Sequence, residues 1–294
     1  MSRVFVLGNA MVDLTLPMVR LPLPGETVVA DDLSRAPGGK GLNQAVVAAR
    51  AGAEVWFQAA VGRDADAALV RASLEAERFA SLRLLTRDVP TDLSVVMVAS
   101  DAENSIVSLC RAADTMTIDD AVGFVGLMQA EDWLLVQGNL SLDVTAAAAA
   151  AVHSRGGQVF FNAAPLRWPV AHVLRHADLL VVNRVEAAAL TGHDDPATAA
   201  GHLKAAGAGL VVVTLGQAGC LWLDKVVHHR SAAAARAIDS TGAGDSFCGA
   251  LVAALAAHAA FDTAIAQAQV AASIAVMRRG AFAALPSAAE LQTS

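Results

Sequence analysis

The 294-residue chain contains no tyrosine, and only 17% of its residues are charged. No apolar run reaches membrane-spanning length. Thr145–Val152 is nearly pure alanine, too short and too weakly apolar to cross a bilayer. The N-terminus has no basic segment leading into a long apolar core and a cleavage site, since Val4–Leu7 is only a strand-length run. A cytoplasmic setting without a membrane partner is therefore expected. Lysine and arginine form no cluster beyond Arg278–Arg279 and the net charge is −7, which argues against a nucleic-acid-binding surface. Cys110, Cys220 and Cys248 are odd in number, far apart and without metal-ligand spacing, so free thiols in a reducing compartment are expected. The eight histidines are read as forming no ligand pair, and His228-His229 reads as an exposed strand end. Two nucleotide signatures are missing as well. The first strand runs into Gly8–Asp13 (G-N-A-M-V-D), not G-x-G-x-x-G, and Gly38–Gly41 has neither the leading glycine spacing nor the Ser/Thr of a P-loop.

What is present is a generous core, with 55% apolar residues broken into short pieces, in a chain long enough for one large α/β domain. Strands are expected at Val4–Leu7, Val55–Ala59, Trp133–Gln137, Val159–Asn162, Leu179–Val182, Leu210–Thr214 and Cys220–Leu223. Helices are expected between them at Asn43–Ala51, Asp66–Ala76, Ile118–Met128, Leu142–Ser154, Val185–Thr191 and Ala197–Ala206. Apolar strands spaced by helices imply a mainly parallel sheet covered on both faces, with ligands bound beyond the carboxyl ends of its strands. Two stretches break the rhythm. Asp13–Pro37 carries four prolines, and Leu93–Leu109 reads as two strands, Ser94–Ala99 and Ser105–Leu109, joined by Ser100–Asn104. Both suit antiparallel strands outside the main sheet, such as a flap over an active site.

The most informative decamer is Ile238–Phe247, I-D-S-T-G-A-G-D-S-F, which enters a helical stretch from Asp245 to about Ala257. Its glycines free the backbone N–H groups of Gly242, Ala243 and Gly244 to turn inward. A helix N-terminus at the same point favours an anion such as a transferring phosphoryl group. Asp245 beside an anion suits proton abstraction from an arriving nucleophile. As structure alone, the same letters are ordinary helix capping.

Other segments offer matching chemistry. Gly38–Gln44 (G-G-K-G-L-N-Q) brings bare backbone, with Lys40 and Asn43 able to bind hydroxyls or a phosphate; as structure it is a tight turn and a helix start. Asp13 could cap a turn or accept hydrogen bonds from two sugar hydroxyls. Glu186, in Asn183–Glu186, suits either the dipole of a first helical turn or a water-mediated Mg²⁺ contact. Thr214–Gly219 is a glycine turn that a ligand could approach, or simply a link between two strands.

With these segments in order, the chain resembles the ribokinase-like (PfkB) family of carbohydrate kinases. The likeness rests on Pro24–Val28 (P-G-E-T-V), Gly38–Ala45 (G-G-K-G-L-N-Q-A), Asn183–Glu186 (N-R-V-E), Thr214–Gly219 (T-L-G-Q-A-G) and Asp239–Phe247 (D-S-T-G-A-G-D-S-F). It implies a single domain over residues 1–294, a three-layer α/β/α sandwich with a mainly parallel central sheet and a small β-sheet lid from about 13–37 and 93–109. The implied activity is ATP-dependent phosphorylation of the primary hydroxyl of a pentose or related furanose. Asp245 would be the general base and Gly242, Ala243 and Gly244 the anion hole. Met11, Asp13, Gly39, Lys40, Asn43 and Asn139 would line the sugar site. Asn183, Thr214, Gly216, Gly219, Gly244 and Gln269 would meet ATP, with Glu186 near Mg²⁺ through water. Asp239, Thr241, Arg278 and Gly280 match a site for a monovalent cation such as K⁺, and the lid implies a homodimer. Two positions depart from ribokinases proper, which carry asparagine where this chain has Met11 and glutamate in the stretch that here contains Asn139. Both weaken ribose as the substrate. A nucleoside kinase of the same fold and a non-catalytic sugar- or nucleotide-binding regulator are the alternatives.

Overall fold

The apolar runs separated by alanine-rich helices build a nine-stranded sheet with helices on both faces. The computed structural model describes residues 2–100 and 104–292. In chain order the strands are β1 (Val4–Leu7), β2 (Met11–Met18), β3 (Ser34–Gly38), β4 (Val55–Val61), β5 (Ser81–Thr86), β6 (Asp92–Ala99), β7 (Asn104–Leu109), β8 (Trp133–Gln137), β9 (Gln158–Asn162), β10 (Leu179–Asn183), β11 (Leu210–Thr214), β12 (Cys220–Leu223) and β13 (Val227–Arg230). The helices are α1 (Lys40–Arg50), α2 (Ala65–Leu74), α3 (Ile118–Val125), α4 (Leu142–His153), α5 (Ala171–Leu174), α6 (Arg184–Thr191), α7 (Pro196–Ala205), α8 (Ala243–Ala256), α9 (Phe261–Val276) and α10 (Ala288–Gln292).

The large sheet has the order β13-β12-β11-β10-β9-β8-β1-β4-β5. It is parallel from β11 to β5, and β12 and β13 add on antiparallel. Alternation along each strand splits the core in two. Val4 and Val6 pack with Val46, Val47, Leu251 and Ile265, placing α1, α8 and α9 on one face. Phe5 and Leu7 pack with Phe124, Val144 and Ala199, placing α3, α4 and α7 on the other. The result is the mainly parallel sheet covered on both faces that the strand pattern implied, and the three-layer α/β/α sandwich that the resemblance implied.

A separate four-stranded sheet has the order β3-β2-β6-β7. Here one expectation is corrected. β2 pairs with β3 and β6 with β7 antiparallel, but the central pair β2–β6 is parallel. The cause lies in the large sheet, where β1 and β5 are aligned parallel. β2 continues from β1 and β6 from β5, so both leave the same sheet edge in the same direction. The small sheet also reaches further than anticipated, starting at Met11 and Asp92 and ending its first hairpin at Gly38. Residues 101–103 of the anticipated Ser100–Asn104 turn lie outside the described residues.

Candidate active site

Strand order sets the site's location. The chain leaves β1 for β4 and β5, then returns to the opposite side of β1 with β8. Such a reversal opens a crevice at the carboxyl ends of the two flanking strands. Here those ends carry Gly8-Asn9 after β1, and Gln137 followed by Gly138-Asn139 at β8. Helix α1 is docked on the first of them, because Gly41 N–H donates to Asn9 Oδ1 at 3.2 Å and Leu42 N–H to the Asn9 carbonyl at 3.0 Å. Gly39, with φ of 100°, supplies the left-handed turn that starts the helix.

The first turn of α8 meets α1 in this crevice. Asp245 is buried, and its carboxylate is held at both oxygens: Asn43 Nδ2 donates to Oδ2 at 3.0 Å and Gln44 Nε2 to Oδ1 at 2.9 Å. Lys40 Nζ stands 3.8 Å from Oδ1, with its side chain about one-third exposed at 37%. The Asp245 charge holds the Lys40 ammonium above its ordinary range, against the opposing effect of burial. Asp13, on β2, is pushed up to about 6, first by burial and then by the charge of Asp245. Glu186 is also raised, mainly by burial, and it feels both Lys40 and Asp245. Four charged groups from β2, α1, α6 and α8 therefore share one field.

Around this centre, polar groups lack protein partners. Among the described residues, Asn9 Nδ2, Asn43 Oδ1, Gln137 Oε1 and Asn139 Oδ1 are buried and unpaired. Those of Asn9, Asn43 and Asn139 suit a hydroxyl-bearing ligand, which supplies both donors and acceptors, whereas Gln137 Oε1 lies against Gly8, where a Cβ would come within 2.3 Å of it. The Asn139 carbonyl, in contrast, accepts from Arg167 Nη1. Met11 is buried, and its thioether accepts from Ser94 Oγ at 3.2 Å.

At the start of α8, Gly242 takes φ of 80°. Among the described residues, no protein acceptor takes the N–H of Gly242 or Gly244. Ala243 N–H makes a long 3.3 Å bond to Ser240 O and is the least free of the three expected donors. The preceding loop is closed by Asp239, whose Oδ1 accepts from Thr241 N–H and Oγ1 at 2.9 and 2.7 Å and whose Oδ2 accepts from Gly280 N–H at 2.8 Å. Asp239, Thr241 and Gly280, grouped by the resemblance, thus lie together. The Arg278 guanidinium is tied to Glu290 instead.

The segments expected to meet a nucleotide are built differently. Asn183 and Glu186 form a reciprocal capping box on α6, each side chain bonding the other's backbone N–H at 2.8 Å. Thr214 ends β11, and the turn after it closes through Leu215 N–H to Gly219 O at 2.7 Å. Gly216 and Gly219 both take positive φ there. Gln269 ties α9 to the antiparallel edge, its Nε2 donating to Arg230 O at 3.0 Å and to Cys220 Sγ at 3.4 Å. Among the described residues no group of three or more His, Cys, Asp or Glu side chains is placed to cage a metal.

Four residues of the site were not singled out from the sequence: Asn9, Gln44, Gln137 and Asn162. A signal existed for Gln137 and Asn162, since β8 and β9 read WLLVQ and QVFFN, each an apolar run ending in an amide. An amide at the carboxyl end of a buried strand needs a polar partner.

Comparison with known proteins identifies what this arrangement serves. Residues 1–288 match the pfkB family carbohydrate kinases, and the chain belongs to that family. It is an ATP-dependent sugar kinase. It is 32% identical over 294 residues to a ribokinase of Haemophilus influenzae, covering 97% of this chain and 95% of the relative. The fold is similar to a ribokinase from Thermotoga maritima with a TM-score of 0.90 at 26% identity, covering 100% of this chain and 99% of the other. An Arabidopsis thaliana ribokinase complexed with ribose and ATP gives 0.88 at 27% identity, with 100% and 98% covered.

Proposed function

We propose that the chain transfers the γ-phosphoryl group of ATP to the primary hydroxyl of a pentose or related furanose, with Asp245 as general base. The observation that carries this reading is the placement of Asp245. Asn43 and Gln44 fix its carboxylate in the first turn of α8, beside the unengaged N–H groups of Gly242 and Gly244. In the reaction the sugar oxygen forms a bond to the γ-phosphorus and the bond to the bridging β–γ oxygen breaks. The hydroxyl proton passes to Asp245 and ADP leaves. Charge on the transferring group is met by the α8 N-terminus and its free amides.

Asp13, Gly39, Lys40, Asn43 and Asn139 orient the sugar, Asp13 by accepting from two hydroxyls. Met11 stands where a hydrogen-bonding side chain would discriminate for a hydroxyl. Its thioether offers only a weak acceptor, so a deoxypentose is accepted on terms close to those of ribose. ATP lies along Asn183, the Thr214–Gly219 turn, Gly244 and Gln269. Mg²⁺, carried mainly by phosphates and water, would be reached through water by Glu186 and supplies charge neutralisation of the phosphates. The Asp239–Thr241 loop with Gly280 is the proposed K⁺ position, so turnover should rise when K⁺ replaces Na⁺. The small sheet acts as a lid and as the contact of a homodimer. Exposed Val19, Leu23, Ile106 and Val107 on its strands and loops support the second role. The free cysteines suit a cytoplasmic setting.

The test is an ADP-release assay over ribose, 2-deoxyribose, fructose, 2-keto-3-deoxygluconate and nucleosides. Pentose-dependent ADP formation is expected. No release with any of them would overturn the assignment, and release with nucleosides alone would move the acceptor to that class.

A further inference from the structure

Gln44 is fully buried, and both ends of its amide have partners. Its Oε1 accepts from Gln137 Nε2 at 2.9 Å. Its Nε2 donates to Asp245 Oδ1 at 2.9 Å and to Asn162 Oδ1 at 3.0 Å. Asn162 in turn donates to the Val181 carbonyl at 3.1 Å. One side chain on α1 therefore links the ends of β8 and β9 to the first turn of α8. The direction of the chain matters. A primary amide presents hydrogens at one end and an acceptor at the other, so its orientation is decided by what lies at both ends. Gln137 offers Nε2–H to the oxygen end, which leaves the NH₂ end for Asp245.

We propose that Gln137 and Gln44 form a positioning relay for Asp245: Gln137 fixes the orientation of the Gln44 amide, and Gln44 holds Asp245 as a charged acceptor aimed at the arriving hydroxyl. This rests on Asp245 being the general base. Neither glutamine is asked to touch the substrate. Lys40 also faces Asp245 from α1, and Asp13 from β2 and Glu186 from α6 act on it through charge. Cys248, buried one turn along α8, completes the titratable neighbours. The relay adds a directional contact to that field, because an N–H donor favours the ionised carboxylate.

Gln137→Glu separates positioning from packing. It keeps the shape of the side chain but replaces the donor with an acceptor, which draws the Gln44 NH₂ end toward residue 137 and turns its oxygen toward Asp245. Gln44→Met removes the donor while keeping length. The measurement is kcat and KM for both substrates against pH, with melting temperature and ATP binding by calorimetry recorded for each variant. Both substitutions should lower kcat at neutral pH by roughly 10–100-fold with little change in either KM. Gln137→Leu should give a smaller loss of kcat than Gln137→Glu. If the folded Gln137→Glu and Gln44→Met proteins keep the wild-type kcat, the relay is overturned. Asp245→Asn is run alongside: full activity there removes the base itself, whereas an inactive Asp245→Asn with unaltered glutamine variants removes only the relay.

Discussion

The two halves of the proposed active site are built on opposite plans. On the proposed sugar side, Asn9, Asn43, Gln44, Asn139 and Asp245 are buried, and several of their polar atoms await a partner. On the proposed nucleotide side, Asn183 and Glu186 already satisfy each other's backbone as a helix cap, and the Thr214–Gly219 turn closes on itself. The first half has unmet chemistry that only the right ligand meets, so it can discriminate strongly. The second offers backbone and shape, which suits a cosubstrate bound largely through its phosphates and their metal ion. Specificity therefore belongs to the sugar side, and substitutions in the two halves should differ in kind as well as in size.

The largest effect should come from Asp245→Asn. Loss of the base lowers kcat by at least about 10²–10⁴-fold, while ATP affinity measured by calorimetry stays near wild type. Near-full turnover would remove Asp245 from the chemistry. Next is Asp13→Ala, which should raise the sugar KM by roughly 10–100-fold and leave the ATP KM alone, since a buried acceptor pair of about 1–3 kcal/mol is lost. An unchanged KM for every accepted sugar would place Asp13 outside the site. Asp13 also sets a pH dependence. With its carboxyl pushed up to about 6, kcat/KM for the sugar should fall as pH drops through that value, and Asp13→Asn should abolish the limb.

The same shift has a consequence for stability. A carboxyl raised in the folded state contributes stability below its ordinary value of 3.8, and that contribution is lost as pH rises to about 6. Unliganded Asp13→Asn should accordingly melt higher than wild type at pH 7–8, with the gap closing below about pH 4. Equal melting temperatures at both ends of that range would contradict the shift. Gly38→Ala offers an independent probe of the same contact. A Cβ there would lie 2.1 Å from Asp13 Oδ2, so the carboxylate must move while the fold survives. The variant should reproduce the higher sugar KM of Asp13→Ala, and a wild-type KM would show that the position of Asp13 is not critical. The smallest effect belongs to the nucleotide side, where Asn183→Ala removes a cap worth about 1 kcal/mol. It should lower the melting temperature by about 2–4 °C; a drop as large as that of a core truncation would mean that the segment does more than cap α6.

Much of this was legible in the sequence for a specific reason. Strands buried on both faces must be apolar throughout, so β1, β8, β11 and β12 were bounded by composition alone. The edge strand β5 (SLRLLT) escaped because its side chains are largely exposed and one of them is Arg83. Helix α9 escaped because its many alanines give a weak amphipathic signal. The parallel β2–β6 pair could not be read locally, since it is set by the alignment of β1 and β5 far away in the chain. In the site, Lys40, Asn43 and Asp245 stood out through their glycine-rich context. Gln44 sat in the same motif without distinction, because its importance comes from partners contributed by β8, β9 and α8.

In the proposed reaction the hydroxyl reaching Asp245 is the primary one of a pentose, and the phosphorus–proton coupling of the purified product, measured by NMR, reports which hydroxyl took the phosphate. A phosphate coupled to the two protons of a methylene carbon is the expected result. Coupling to a single proton, marking a phosphate on the anomeric or a secondary carbon, would contradict it.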